Sequence, residues 1–366
     1  MGMRAALALI LLLGLSPVAA EASLLELAHK AREEALAQHA PAHPDQPLWR
    51  RAIILAEEAA AAEPDNPEAW RLLAEVYTET GWWIRAARAW ERYLEVGGAS
   101  DPRELAEVYR KLGYLAYQRK DTREAVSWYR KSLEVLPENP EAAAWLGRIY
   151  LELGRPQEAL KYWELAAKYE PSEKNRYFLR LSRKMAAYGG YAVRRFYQGY
   201  LAYEEGDLER AERLFKEAAE AAPEWAEPHR WLGRIYLEGG RPAEAEAEWR
   251  RVVELEGETE ENQHFLKLAR EASRYGLLAA QAFFRGVAAL EADQLEEAIS
   301  QFERAVEAAP GYQKAWKWLG RARYQAGDFA GAAQAYQRAL ELDPEDPEAR
   351  YFLRLAKRAA EQRDAP

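Results

Sequence analysis

Trp145-Leu-Gly-Arg-Ile-Tyr150, continued by Leu-Glu-Leu-Gly-Arg-Pro156 and Gln-Glu-Ala159, is the stretch on which the fold turns. It returns as Trp231-Leu-Gly-Arg-Ile-Tyr236 with Gly240-Arg-Pro242, and in looser form as Trp318-Leu-Gly-Arg-Ala-Arg-Tyr324 with Gly327-Asp328. The two intervals are 86 and 87 residues. A motif that recurs at a fixed interval marks stacked units, each burying one face on its neighbour, so there is no single core to look for.

Composition agrees with that reading. The chain of 366 residues is 30% charged and 12% aromatic, and its Ala, Leu, Glu and Arg residues fall at helical spacing, which predicts an all-α chain. A formal charge of −9 argues against a nucleic-acid binder that works by neutralising phosphates. Cysteine is absent, which excludes disulfides, thiolate metal sites, a cysteine nucleophile and lipid attachment through sulfur. Three methionines and many Glu and Arg residues at helical spacing resemble the composition of a thermophile's protein.

Residues 1–20 join basic Arg4, an apolar run from Ala5 to Leu13, the breakers Gly14 and Pro17, and the small residues Val18-Ala19-Ala20. This order predicts a secretory signal cleaved near Ala20 or Ala22 and an exported protein, periplasmic or secreted, with no membrane span after cleavage. Ser23 and Glu26 then form a capping box for a helix running to about Gln38. His39 and His43 stand four apart, but Pro41 and Pro44 break any helix that would align them, so no metal site is expected.

Inside the long interval lies a shorter one. Gly113 and Gly147, Gly199 and Gly233, and Gly286 and Gly320 are each 34 residues apart. Around this frame Leu146, Gly147, Tyr150, Ala159, Trp163, Ala166 and Pro171 hold a small residue, aromatics, alanines and a proline at fixed offsets, and six further stretches follow suit. Among these are Trp70, Leu73, Ala74, Tyr77, Ala86 and Trp90 at the start and Trp316, Leu319, Gly320, Tyr324, Ala332 and Tyr336 near the end. The pattern resembles the tetratricopeptide repeat, which implies a solenoid of helix-turn-helix units. Small residues at Gly147 and Ala159 are expected to let paired helices approach, with Tyr150 and Trp163 filling the space between hairpins.

The expected organisation is a signal over 1–20, a degenerate amino-terminal repeat over 21–64 and three units over 65–171. Two units follow over 193–257, two over 279–346, and a capping helix over 347–366 closes the chain. Extra helices over 172–192 and 258–278 explain why 86 and 87 exceed twice 34. They begin with Tyr177-Phe-Leu-Arg-Leu181 and His264-Phe-Leu-Lys-Leu268, a segment seen again as Tyr351-Phe-Leu-Arg-Leu355. The groove is expected to kink at both insertions.

The resemblance implies a concave groove lined by the first helix of each unit, at Arg71, Tyr114, Tyr117, Arg148, Phe196, Tyr200, Tyr203, Arg230, Arg234, Lys317 and Arg321. Arginines alternating with aromatics suit acidic or aromatic peptide segments, or a polymer with carboxylates and sugar faces. Equally, Arg148 with Glu152 and Arg234 with Glu238 are i,i+4 pairs that could lace a solvated face. Trp145, Trp231 and Trp318 read as wedges between helices rather than ligand platforms. No unit has Asn at the groove position of the family's carboxylate clamp. No phosphate loop, nucleophile elbow or paired His-Glu motif occurs, so neither an enzyme nor a cofactor is expected. The expected function is a non-enzymatic protein-binding scaffold of the cell envelope. A binder of cell-wall polysaccharide is the alternative, a glycan-cleaving enzyme is a more remote one, and self-association through the repeat ends is open.

Overall fold

The computed structural model describes residues 22–38 and 42–363, so the signal-like segment and His39 lie outside the described residues. Nineteen α-helices and no strand occur among the described residues. The chain divides into two compact units, residues 1–187 and 188–366.

The first unit contains α1 Leu24–Ala37, α2 Pro47–Ala62, α3 Pro67–Glu79, α4 Trp83–Glu95, α5 Pro102–Gln118, α6 Thr122–Val135, α7 Pro140–Glu152 and α8 Pro156–Tyr169. Helix α9, Glu173–Tyr188, runs to its boundary. The second contains α10 Gly190–Glu204, α11 Leu208–Ala221, α12 Ala226–Glu238, α13 Pro242–Glu256, α14 Glu260–Tyr275, α15 Leu277–Glu291, α16 Leu295–Ala308, α17 Gln313–Gln325, α18 Phe329–Leu342 and α19 Pro347–Arg363.

Helix ends follow the sequence closely. Proline opens α2, α3, α5, α7, α8, α13 and α19, where a missing N–H costs nothing. Asn66, Asp101, Asp121, Asn139, Asp207, Thr259 and Asp328 cap free N–H groups with their side chains. The Ser23 capping box is present, with Ser23 Oγ accepting from the Glu26 N–H at 3.2 Å and Glu26 accepting from the Ser23 N–H at 2.8 Å. After α7 the chain reverses at Gly154, whose φ of +68° a side chain would oppose.

Hairpins close by a glycine on the first helix meeting an aromatic ring on the second. A Cβ on Gly147 would stand 2.6 Å from Trp163 Nε1, and one on Gly233 would stand 2.6 Å from Trp249 Nε1. Gly113 meets Tyr129, Gly199 meets Phe215, Gly286 meets Phe302 and Gly320 meets Tyr336 in the same way. The ring therefore sits first inside its own hairpin, where the sequence reading had it chiefly between hairpins. Its other face serves the next helix. Trp163 stacks on Phe178 of α9 at 4.7 Å, Trp249 on Phe265 of α14 at 4.5 Å and Tyr336 on Phe352 of α19 at 5.6 Å. Three Phe residues of the recurring Phe-Leu segment thus dock α9, α14 and α19 on the preceding hairpin.

Candidate functional site

The recurring Trp-Leu-Gly-Arg segment builds the same side-chain assembly in each unit. In the first, Trp145 on α7 stacks on Tyr129 at 5.8 Å and meets the rings of Tyr114 and Tyr117 on α5 at 5.7 and 5.1 Å. One helical turn along α7, the Arg148 guanidinium lies 5.3 Å from the Trp145 ring and 5.5 Å from the Tyr117 ring. Its Nε donates to Glu152 at 3.0 Å, and the Tyr117 hydroxyl donates to the same carboxylate at 2.8 Å.

The second unit repeats each contact. Trp231 stacks on Phe215 at 5.7 Å and meets Tyr200 and Tyr203 at 5.3 and 5.0 Å. Arg234 lies 5.5 Å from Trp231 and 5.7 Å from Tyr203, and its Nε donates to Glu238 at 3.2 Å, while the Tyr203 hydroxyl donates to Glu238 at 2.9 Å. Both tyrosine hydroxyls are held above their usual titration range, first by burial and then by the carboxylate that accepts from them. Glu152 raises Arg148 by its hydrogen bond. Arg148 and Arg234 remain more than half exposed, at 54% and 58%, while each pairs with its glutamate through Nε.

The bond from Tyr117 to Glu152 spans 35 residues, one repeat and one position. Sequence spacing showed the i,i+4 pair of Arg148 and Glu152 but not the tyrosine that joins it from the preceding hairpin. A third assembly is incomplete. Arg321 lies 5.2 Å from the Trp318 ring, yet Gln325 stands where Glu152 and Glu238 would, and Leu290 where the tyrosine would. Among the described residues Arg321 has no ion-pair partner.

Several other predicted groove residues are engaged within the chain. Phe196 is a correction: it is 6% exposed and packs on Phe215 at 5.5 Å and Trp225 at 4.7 Å, so it belongs to the core of the second unit. Arg71 pairs with Glu75 at 3.4 Å, and Arg230 pairs with Glu256. Lys317 donates to Asp346 at 2.9 Å and pairs with Glu348, tying α17 to the start of α19. Burial alone would raise the Asp346 carboxyl, but the Ala349 N–H, Lys317 and Gln313 outweigh it and bring it down to about 2.

A cleft of about 560 Å³ opens beside the first assembly, lined by Trp145, Arg148, Leu151, Glu152, Lys174 and Phe178 among others. It brings α7 and α9 together, so the extra helix supplies one wall. His29 and His229 face carboxylates, His229 Nδ1 lying 2.6 Å from Glu248 Oε2. Among the described residues no three His or acidic side chains gather as a metal-ligating group, and no helix is long and apolar enough to cross a membrane.

Comparison with known proteins gives the family. One model of the tetratricopeptide repeat matches residues 116–179 and 202–264, and another matches 266–312 and 285–347. TPR repeat-containing protein PA0015 of Pseudomonas aeruginosa is 45% identical over 58 residues, which is 16% of this chain and 55% of that protein. Protein O-mannosyl-transferase TMTC1 of Homo sapiens is 24% identical over 264 residues, 71% of this chain and 25% of that protein. The chain thus spans about half the length of the first relative and a quarter of the second. A tetratricopeptide repeat protein of known structure from Parabacteroides merdae is 15% identical, with 91% of this chain and 98% of that one covered at a TM-score of 0.35. Glycine-to-ring closure recurs in hairpin after hairpin and the repeat models span more than half the sequence, so the chain belongs to the tetratricopeptide repeat family.

Proposed function

We propose that the protein is a non-enzymatic scaffold of the cell envelope that binds segments of partner proteins on its first-helix surfaces. The observation that carries this reading is the Trp-Tyr-Arg-Glu assembly, built once in each unit with its arginine more than half exposed. The tyrosine and the carboxylate fix Nε and the plane of the guanidinium, so its terminal amino groups are preorganised for a carboxylate or an aromatic face of a partner. Arg321, Tyr114 and Tyr200 extend the same surface type, and the cleft beside Arg148 gives the first unit a recess for a side chain. The two complete tryptophans each touch three aromatic rings, which supports a wedge role for them rather than a sugar platform.

Envelope location is drawn from the order of charged, apolar and small residues over 1–20. The absence of catalytic motifs in the sequence supports a binding role, and the partial match to a mannosyl-transferase covers only a quarter of that protein. Reversal of Arg148, Arg234 and Arg321 to Glu, followed by recovery of partners from envelope extract, tests the surface. Selective loss of co-purifying proteins with an unchanged helical circular-dichroism signal is the expected result. Unchanged recovery would eliminate these surfaces, and retention on insoluble wall material without a protein partner would favour the polysaccharide reading.

A further inference from the structure

Three equivalent places in the repeat differ in how their charge is balanced. Helices α6, α11 and α16 begin at Thr122, Leu208 and Leu295, the long interval seen in the sequence. At the first, a cleft of about 730 Å³ is walled by Arg123, Arg130, Lys131, Tyr150, Leu153 and Arg155. At the second, Lys216 replaces Arg130, Tyr236 replaces Tyr150 and Arg241 replaces Arg155. Glu212 sits where the first place has Val126, accepts from Lys216 Nζ at 2.7 Å and pairs with Arg241. Its carboxyl is pulled down to about 2, chiefly by Arg241 and then against burial by Lys216. Glu209 and Glu217 occupy the positions of Arg123 and Lys131. At the third, Glu303 and Asp328 flank Arg323 at 2.6 and 3.8 Å.

Only the first place lacks such balance. Among the described residues Arg123 and Lys131 have no carboxylate in ion-pairing range. Arg130 donates at 2.6 Å to the hydroxyl of Tyr150 rather than to a carboxylate, and Lys131 lies 4.1 Å from the Trp128 ring. Arg155 pairs with Glu158, and Glu134 is the one acidic residue in the wall. Leu153 is 49% exposed at the rim, where the other two places have Gly239 and Ala326. Cations left unpaired in a chain of net charge −9 are strongly placed for a local anion, and the protein's own field discourages a long polyanion beyond the cleft.

We infer that this cleft docks an acidic peptide segment of a partner protein, carboxylates meeting Arg123, Arg130 and Lys131 while an apolar side chain covers Leu153 and Val126. The planar guanidinium groups suit carboxylates in bidentate geometry, and the exposed leucine selects a peptide over a phosphate polymer. The site borders α7, which also carries the Arg148 assembly, but shares no lining residue with the cleft beside Arg148, so it does not depend on that surface or on the compartment.

The test is fluorescence anisotropy of the full chain with a fluorescein-labelled octapeptide alternating Glu and Leu, at physiological ionic strength. Saturable binding is expected, weakened about tenfold or more by Arg123→Glu, which breaks no internal contact, and by Val126→Glu, which installs the carboxylate of the second place. Arg213→Glu makes the same change of charge at an exposed position of α11 and is expected to leave Kd within about twofold. Absence of saturable binding overturns the inference. So does an equal loss in all three variants, or inorganic polyphosphate binding at least as tightly as the peptide.

Discussion

Gly147 shows how little room the hairpin leaves. The indole of Trp163 occupies the space a Cβ would need, and its ring is 2% exposed with Phe178 stacked on the far side, so it cannot withdraw without opening a second contact. Gly147→Ala is therefore expected to lower stability by about 1–3 kcal/mol despite its gain in helix propensity, as read by urea unfolding. An unchanged midpoint would mean that the ring yields freely. The family pattern in the sequence already marked Gly147 and Trp163, because small and aromatic residues recur at fixed offsets. Tyr117 was legible as a surface residue but not as a partner of Glu152, since the bond depends on how far one hairpin is rotated on the next. The same limit hid the pairing of Arg230 with Glu256 and Lys317 with Glu348, and the burial of Phe196.

Individual helices owe their positions to single stacked rings and caps. Phe178 is the main aromatic that seats α9 on α8, and buried Asn175 secures the start of the helix by donating to the Glu170 carbonyl at 2.8 Å. Phe178→Ala is expected to cost about 2–3 kcal/mol and to raise amide exchange in residues 173–187 before the rest of the first unit. At the other end of the chain Asp346 caps α19 and accepts from Lys317 and Gln313. Its folded value of about 2 lies below the ordinary 3.8, so its contribution is present above about pH 4 and is lost as the pH falls through 2. The side chain is 10% exposed, and the shift corresponds to about 2 kcal/mol. Asp346→Asn is expected to lose that amount at pH 7 and to converge with the parent protein near pH 2, which acid titration of thermal stability will show. A gap that persists below pH 2 would assign the effect to the cap geometry rather than to charge.

On the scale of the whole chain the repeat interval was the most legible feature, because 86 and 87 exceed twice 34 by the length of one more helix. Helices α9 and α14 occupy that excess, and each receives the second-helix ring of the hairpin before it. Stability in such a chain is a sum of local terms and neighbour terms rather than one cooperative core. Gly147 meets Trp163 in a hairpin of the first unit, and Gly320 meets Tyr336 in a hairpin of the second. The costs of Gly147→Ala and Gly320→Ala are thus expected to add within about 0.5 kcal/mol in the double variant. Hydrogen exchange supplies the sharper reading. Gly147→Ala is expected to release amides in residues 140–169 while those in residues 313–342 keep their protection, because the substitution raises the energy of one hairpin only. Loss of protection spread evenly over both spans would show that the chain unfolds as one cooperative body, and would overturn the account of stacked units holding one another in series.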